Sequence, residues 1–194
     1  MFRPLADGKG PSLLSASPVP DLAAAGYTDT EYAASGIADR LVGDGDTPPA
    51  EFTTRLVVRR PADAAAFNGC AVVEWLNVSS GSDAAPEYSY LAAELVRAGY
   101  AWVGVSAQYV GVEGGTGSVG VAAGEPPQSL SAKDPGRYGG LHHPVTPTAT
   151  TSSARSDTRF VVITPERHRP RITRSPDSPS ARCSRSANRN PRWP

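Results

Sequence analysis

A serine becomes a nucleophile when a sharp strand-to-helix turn, Gly-x-Ser-x-Gly in sequence, exposes its hydroxyl beside backbone N–H donors. The nearest string in this chain is Gly104-Val105-Ser106-Ala107-Gln108. It lacks the second glycine and closes an apolar run, so Ser106 reads as a strand-end serine. His142 and His143 offer ring nitrogens suited to a general base or a metal. Adjacent side chains of an extended chain diverge, and no acidic ligand spacing accompanies the pair, so both read as surface-loop histidines. Asp83 and Glu87 stand where acids favour a helix N-terminus, and Asp83 suits its cap. Cys70 lies in an apolar run and Cys183 in an arginine-rich stretch, which makes neither a disulfide framework nor a zinc pattern. These residues predict no catalytic residue, no metal site and no cofactor.

The elements that would position them can be read from the pattern. Residues 1–21 are polar and rich in Gly and Pro, and read as a flexible arm. Residues 31–42 and 52–60 look extended, separated by a turn-rich segment at 43–49, and suit an antiparallel hairpin. Residues 70–76 are a mostly apolar run after Asn68-Gly69, with the β-branched content of a buried strand. A polar loop at 77–82 leads to a helix whose apolar positions are Tyr88, Leu91, Ala92, Leu95 and Val96, ended by Gly99. Residues 100–107 form a second apolar strand. Strand, helix and strand with short loops predict a βαβ unit with a parallel pair. Residues 111–124 read as a glycine-rich surface loop. The first ten residues lack the apolar core of a secretory signal, and no run approaches the ~20 apolar residues of a membrane span. A cytoplasmic location without membrane contact is therefore the expectation.

Several strings, in order, are similar to a bacterial family of α/β-hydrolase domain proteins. They are Arg59-Arg60-Pro61-Ala62-Asp63, Phe67-Asn68-Gly69 and Val72-Val73-Glu74-Trp75-Leu76-Asn77-Val78-Ser79. Further on come residues 97–108, Gly111-Val112-Glu113-Gly114, Asp134-Pro135 and Arg137-Tyr138-Gly139. The resemblance spans residues 22–144 and implies an eight-stranded, mostly parallel sheet with Ser, acid and His in that chain order. It places 70–76 as the third strand and the oxyanion hole in the following loop, with Asn77 and Val78 as candidate donors. That loop lacks the His-Gly-Gly of lipases. It also places Ser106 on the strand before the nucleophile strand.

Beyond Pro144 the sequence changes kind. Through Pro144 there are 9 basic and 16 acidic residues, and from Val145 onward 10 arginines and 3 acids. All eleven leucines lie between Leu5 and Leu141, so the last fifty residues hold little core-forming material. A frame slip explains the change. If one base is missing, each lost codon is the third base of one present codon with the first two of the next. Arg182 through Arg192 then permit Val-Leu-Ala-Val-Gly-Glu-Ser-Gln-Ser-Ala, an apolar strand entering a Gly-x-Ser-x-Ser turn like a nucleophile elbow. Pro144 through Ser156 in the same frame permit Gly-Asp-Ala-Tyr-Ser-Tyr-Asp-Ile-Phe-Ser-Gln-Ile-Gly.

The chain therefore reads as α/β: a flexible arm (1–21), the N-terminal half of an α/β-hydrolase sheet (22–144), and an out-of-frame, disordered Arg/Ser/Pro-rich tail (145–194). Its expected function is that of a truncated, inactive relative of serine esterases, whose intact members take a small ester or acyl substrate. The alternative is a small α/β module whose Arg-rich tail binds nucleic acid by its charge. Only Phe160 and Trp193 of that tail could stack on bases.

Overall fold

The computed structural model describes residues 1–13, 19–38, 49–115, 117 and 129–144, and the backbone of 160–163. Six strands form one sheet in the order β1-β2-β3-β5-β4-β6. The expected hairpin is present and longer than its apolar pattern. β2 (Tyr27–Ala38) runs antiparallel to β3 (Ala50–Pro61), in register from Tyr27↔Pro61 to Ala38↔Ala50. β4 (Ala71–Trp75) and β5 (Ala101–Val105) are the parallel pair predicted from the βαβ pattern, joined through helix α1 (Pro86–Arg97). Short helical turns α2 (Tyr109–Val112), α3 (Leu130–Lys133) and α4 (Pro135–Tyr138) follow. The first of these turns, with Gly111 and Val112 buried, occupies part of the segment expected to be a surface loop.

Two ends depart from expectation. The N-terminal arm is part of the sheet: β1 (Phe2–Pro4) pairs with β2, and Leu5 is buried with Ala33, Val112, Leu130, Tyr138 and Leu141. Its Gly- and Pro-rich sequence hides this because the partners that order it come from residues far along the chain. Of the tail, β6 (Phe160–Ile163) lies antiparallel on the outer edge of β4, so these four residues are a strand where disorder was expected. The rest of 145–194 lies outside the described residues.

Helix α1 shows how local sequence sets the frame. Tyr88, Ala92 and Leu95 are buried against Val57, Val72, Leu76 and Trp102, while Leu91 is left 40% exposed. Gly99 terminates it at φ +73°, with Gly99 N–H on Val96 O (3.3 Å) and Tyr100 N–H on Leu95 O (3.0 Å). That is the paired bonding of a left-handed helix stop. A Cβ at Gly99 would also meet Ala66 O at 2.4 Å, so two constraints select glycine.

Asp83 does not cap this helix. The N-cap position is Ala85, without a side-chain cap, and Pro86 follows. The capping acceptor is Glu74 on β4: Oε1 accepts from Glu87 N–H (3.2 Å), and Oε2 from Tyr88 N–H (2.9 Å) and Trp102 Nε1–H (2.9 Å). Glu87 keeps its expected place in the first turn. Burial raises the Glu74 pKa, outweighing the three hydrogen bonds that lower it. The folded protein thus holds this proton to higher pH than the unfolded chain does. Stability falls as pH rises from the ordinary carboxylate range through the raised value. Glu74→Gln should abolish that fall and cost about 1–3 kcal/mol throughout, because the amide sets its own N–H against buried donors. Urea midpoints followed across pH would test this, and parallel profiles for the two proteins would refute it.

The described helices all pack on the sheet face that carries Glu31, Ala33, Arg55, Val57, Glu74 and Trp102. On the opposite face Leu56, Val58, Val73, Val103 and Val105 are half-buried, and Trp75 is 52% exposed.

Candidate functional site

The chemistry-bearing residues converge at the carboxyl ends of the parallel strands, around Arg55. Thr54-Arg55-Leu56-Val57 alternates across the sheet, which puts Arg55 on the same buried face as Val57. Its guanidinium is fully buried and spends its donors on four partners. Nη1 donates to Glu31 Oε1 (2.9 Å) and to Ser12 O, Nη2 to Asp83 Oδ2 (2.8 Å), and Nε to Ser106 Oγ (3.0 Å). Glu31 is shared: its Oε2 accepts from Arg137 Nε (2.6 Å) and from the Tyr138 hydroxyl (2.9 Å). Two arginines thus balance two buried carboxylates, the condition under which such charges persist inside a fold. Arg55 lies 5.6 Å from the Tyr138 ring centroid, and burial raises the Tyr138 hydroxyl pKa. Asp83 Oδ1 has no hydrogen-bond partner among the described residues. It sits where a Cβ on residue 111 would come within 2.1 Å, which explains Gly111.

Ser106 is held inside this cluster. Its residue is 0% exposed, its hydroxyl donates to Asp83 Oδ2 (2.5 Å), and its carbonyl accepts from Thr54. No substrate carbonyl has an approach to that oxygen, so the geometry agrees with a strand-end serine. The histidines do not reach it. His142 is exposed, with Nδ1 3.2 Å from Glu113 Oε1, and half-buried His143 sets Nε2 3.0 Å from Ala107 O. Among the described residues no group of His, Cys, Asp and Glu could hold a metal ion, and no helix is long and apolar enough to cross a membrane.

The loop after β4 is closed by its own bonds. Asn77 N–H donates to Ala84 O (2.9 Å), Ala84 N–H returns to Asn77 O (2.8 Å), and Asn77 Oδ1 accepts from Ser79 N–H (2.8 Å). The Asn77 backbone donor is therefore engaged within the loop. The Val78 carbonyl takes Gly81 N–H at 2.8 Å. Asp83 anchors the far end of this loop to Arg55.

The mixed sheet with its single parallel pair is consistent with an alpha/beta hydrolase fold, and the sequence matches the alpha/beta hydrolase domain family over residues 1–164. The chain belongs to that family. The match to the alpha/beta hydrolase domain continues past Pro144 through β6, so it marks no break at the change of composition. Comparison with curated proteins and with solved structures gives no match.

Strands β2 to β5 and the loop after β4 are legible in the sequence of this hydrolase domain, whereas β1, β6 and the roles of Arg55, Glu31 and Glu74 are not. The available signal was a charged residue at an inward position of an apolar strand. Arg137 and Tyr138 entered only through the family resemblance, and their contacts with Glu31 supply the physical reason for that string.

Proposed function

We propose that the chain is the front part of a serine-dependent alpha/beta hydrolase acting on a small ester or similar acyl substrate, that its reading frame is lost after Pro144, and that it performs no triad catalysis. The observation that carries the last point is the state of Ser106. The serine nearest to a nucleophile string is fully buried and its hydroxyl is engaged by Arg55 and Asp83, while His143 Nε2 sits on the Ala107 carbonyl and His142 on Glu113. An activated serine needs a base within hydrogen-bond reach and an open path for the acyl carbon. The frame loss is supported by the switch in charge and leucine content and by the elbow-like string permitted in the shifted frame. The loop from Asn77 remains the proposed source of the oxyanion donor, and its bonding leaves Val78 N–H the better placed of the two candidates. The Arg-rich stretch of the nucleic-acid reading lies outside the described residues, and no observation favours that reading.

The purified chain is expected to turn over p-nitrophenyl acetate no faster than its Ser106→Ala variant. Esterase activity that disappears with Ser106→Ala would overturn the proposal.

A further inference from the structure

Among the described residues β6 is an end strand whose one neighbour is β4. The backbone of β4 shows why it accepts a strand there. Ala101 N–H donates to Cys70 O (3.1 Å) and Leu76 N–H to Val105 O (3.0 Å), so even-numbered residues turn their amides toward β5. Alternation turns the N–H and C=O groups of Ala71, Val73 and Trp75 outward. The antiparallel register sets Ile163 opposite Ala71 and Val161 opposite Val73. An edge of this kind, on a strand apolar at every position but Glu74, is a template for an extended apolar segment.

The segment on it is Phe-Val-Val-Ile, closed by Thr164-Pro165, and it is joined to Pro144 by fifteen residues, eight of them Thr or Ser. Such a connection reaches roughly 50 Å when extended, against a radius of gyration of about 15 Å for a body of this size. It is long enough to reach a neighbouring molecule.

We propose that the outer edge of β4 is a strand-acceptor site, and that a second copy of this chain fills it with its own Phe160–Ile163, reciprocally, to give an exchanged dimer. Each copy carries both donor and acceptor, and the same backbone bonds form within one chain or between two. Exchange is therefore governed by concentration. A connection of fifteen residues holds its strand at an effective concentration on the order of millimolar, and the exchanged form competes as the protein approaches it.

The test is to refold the full chain at roughly 0.5 mM and roughly 5 μM, on either side of that regime. Mass is then measured by light scattering after size exclusion at one common dilution. The concentrated refold should hold at least about tenfold more of its chain as dimer, by mass action over a roughly hundredfold difference in concentration. Val161→Pro, which removes the central donor of the strand, should abolish the difference. Excess synthetic peptide covering residues 158–165, added during refolding of the unaltered chain, should suppress the dimer and stay bound to the monomer. This arm decides the matter if the proline variant does not fold. A monomer under both conditions, or a dimer indifferent to both Val161→Pro and the peptide, would overturn the proposal.

Discussion

Arg55→Met should remove about 3–5 kcal/mol of stability, the range for breaking a buried ion pair by deleting one partner. A natural domain holds only about 5–15 kcal/mol in total, so the loss is a large fraction of its stability and the urea midpoint should fall steeply. The reason is the arrangement around the guanidinium. Asp83 has no other cation within salt-bridge distance among the described residues, whereas Glu31 keeps Arg137. Adding Asp83→Asn to Arg55→Met should therefore recover part of the loss, because it removes the uncompensated charge. Adding Glu31→Gln should recover less. Arg55→Lys should not substitute, since an ammonium cannot span the forked geometry that reaches Glu31, Asp83 and Ser106 together. Urea unfolding of the single and double variants gives the coupling directly. A loss below about 1 kcal/mol for Arg55→Met would show that the cluster is solvated in solution.

The second large effect is on activity. One base inserted at the Pro144 codon should open a longer frame containing Gly-Glu-Ser-Gln-Ser-Ala or a close variant, and its product should hydrolyse p-nitrophenyl esters. Enzymes of any class accelerate their reactions by about 10⁶-fold or more, so the appearance of turnover would be unmistakable against the present chain. Alanine at the elbow serine of the restored product should abolish it. An immediate stop codon in that frame, or a frame without the elbow, would end the proposal.

The parts of the fold legible in sequence were those written in local periodicity. Val72-Val73 and Trp102-Val103 declared buried strands, Tyr88, Ala92 and Leu95 declared a helix face, and Gly99 its end. What was not legible depends on residues brought together from a distance. Glu74 stands in an apolar strand, yet its carboxylate caps a helix twelve residues later. Asp83 precedes a helix, which makes it look like a cap, but the pull of Arg55 across the sheet takes it away. β1 has three residues and no apolar alternation, and it exists because Arg3 and Pro4 find Ala33 and Tyr32. At the site, the sequence reads Ser106 as a strand-end residue, and it directly follows β5. The sequence could not show that Ser106 belongs to a charge cluster, since nothing local links residue 106 to residues 31, 55 and 83.

The docking of the first residues sets an order on the molecule's assembly during synthesis. Lys9 N–H binds the Asp134 carboxylate, Ser12 N–H the Tyr138 hydroxyl (3.1 Å), and Asp7 O accepts from Arg137 Nη1 (2.6 Å). At about 5–20 residues per second, the partners made last leave the ribosome some ten seconds or so after the arm they bind. Through that interval Glu31 has Arg55 alone to neutralise it, and Leu5 has no Leu130 or Tyr138 to cover it. β1 can find β2 early, but the segment from Asp7 to Ser12 is among the last to be fastened, and a nascent chain halted short of Asp134 leaves that segment loose and open to proteases.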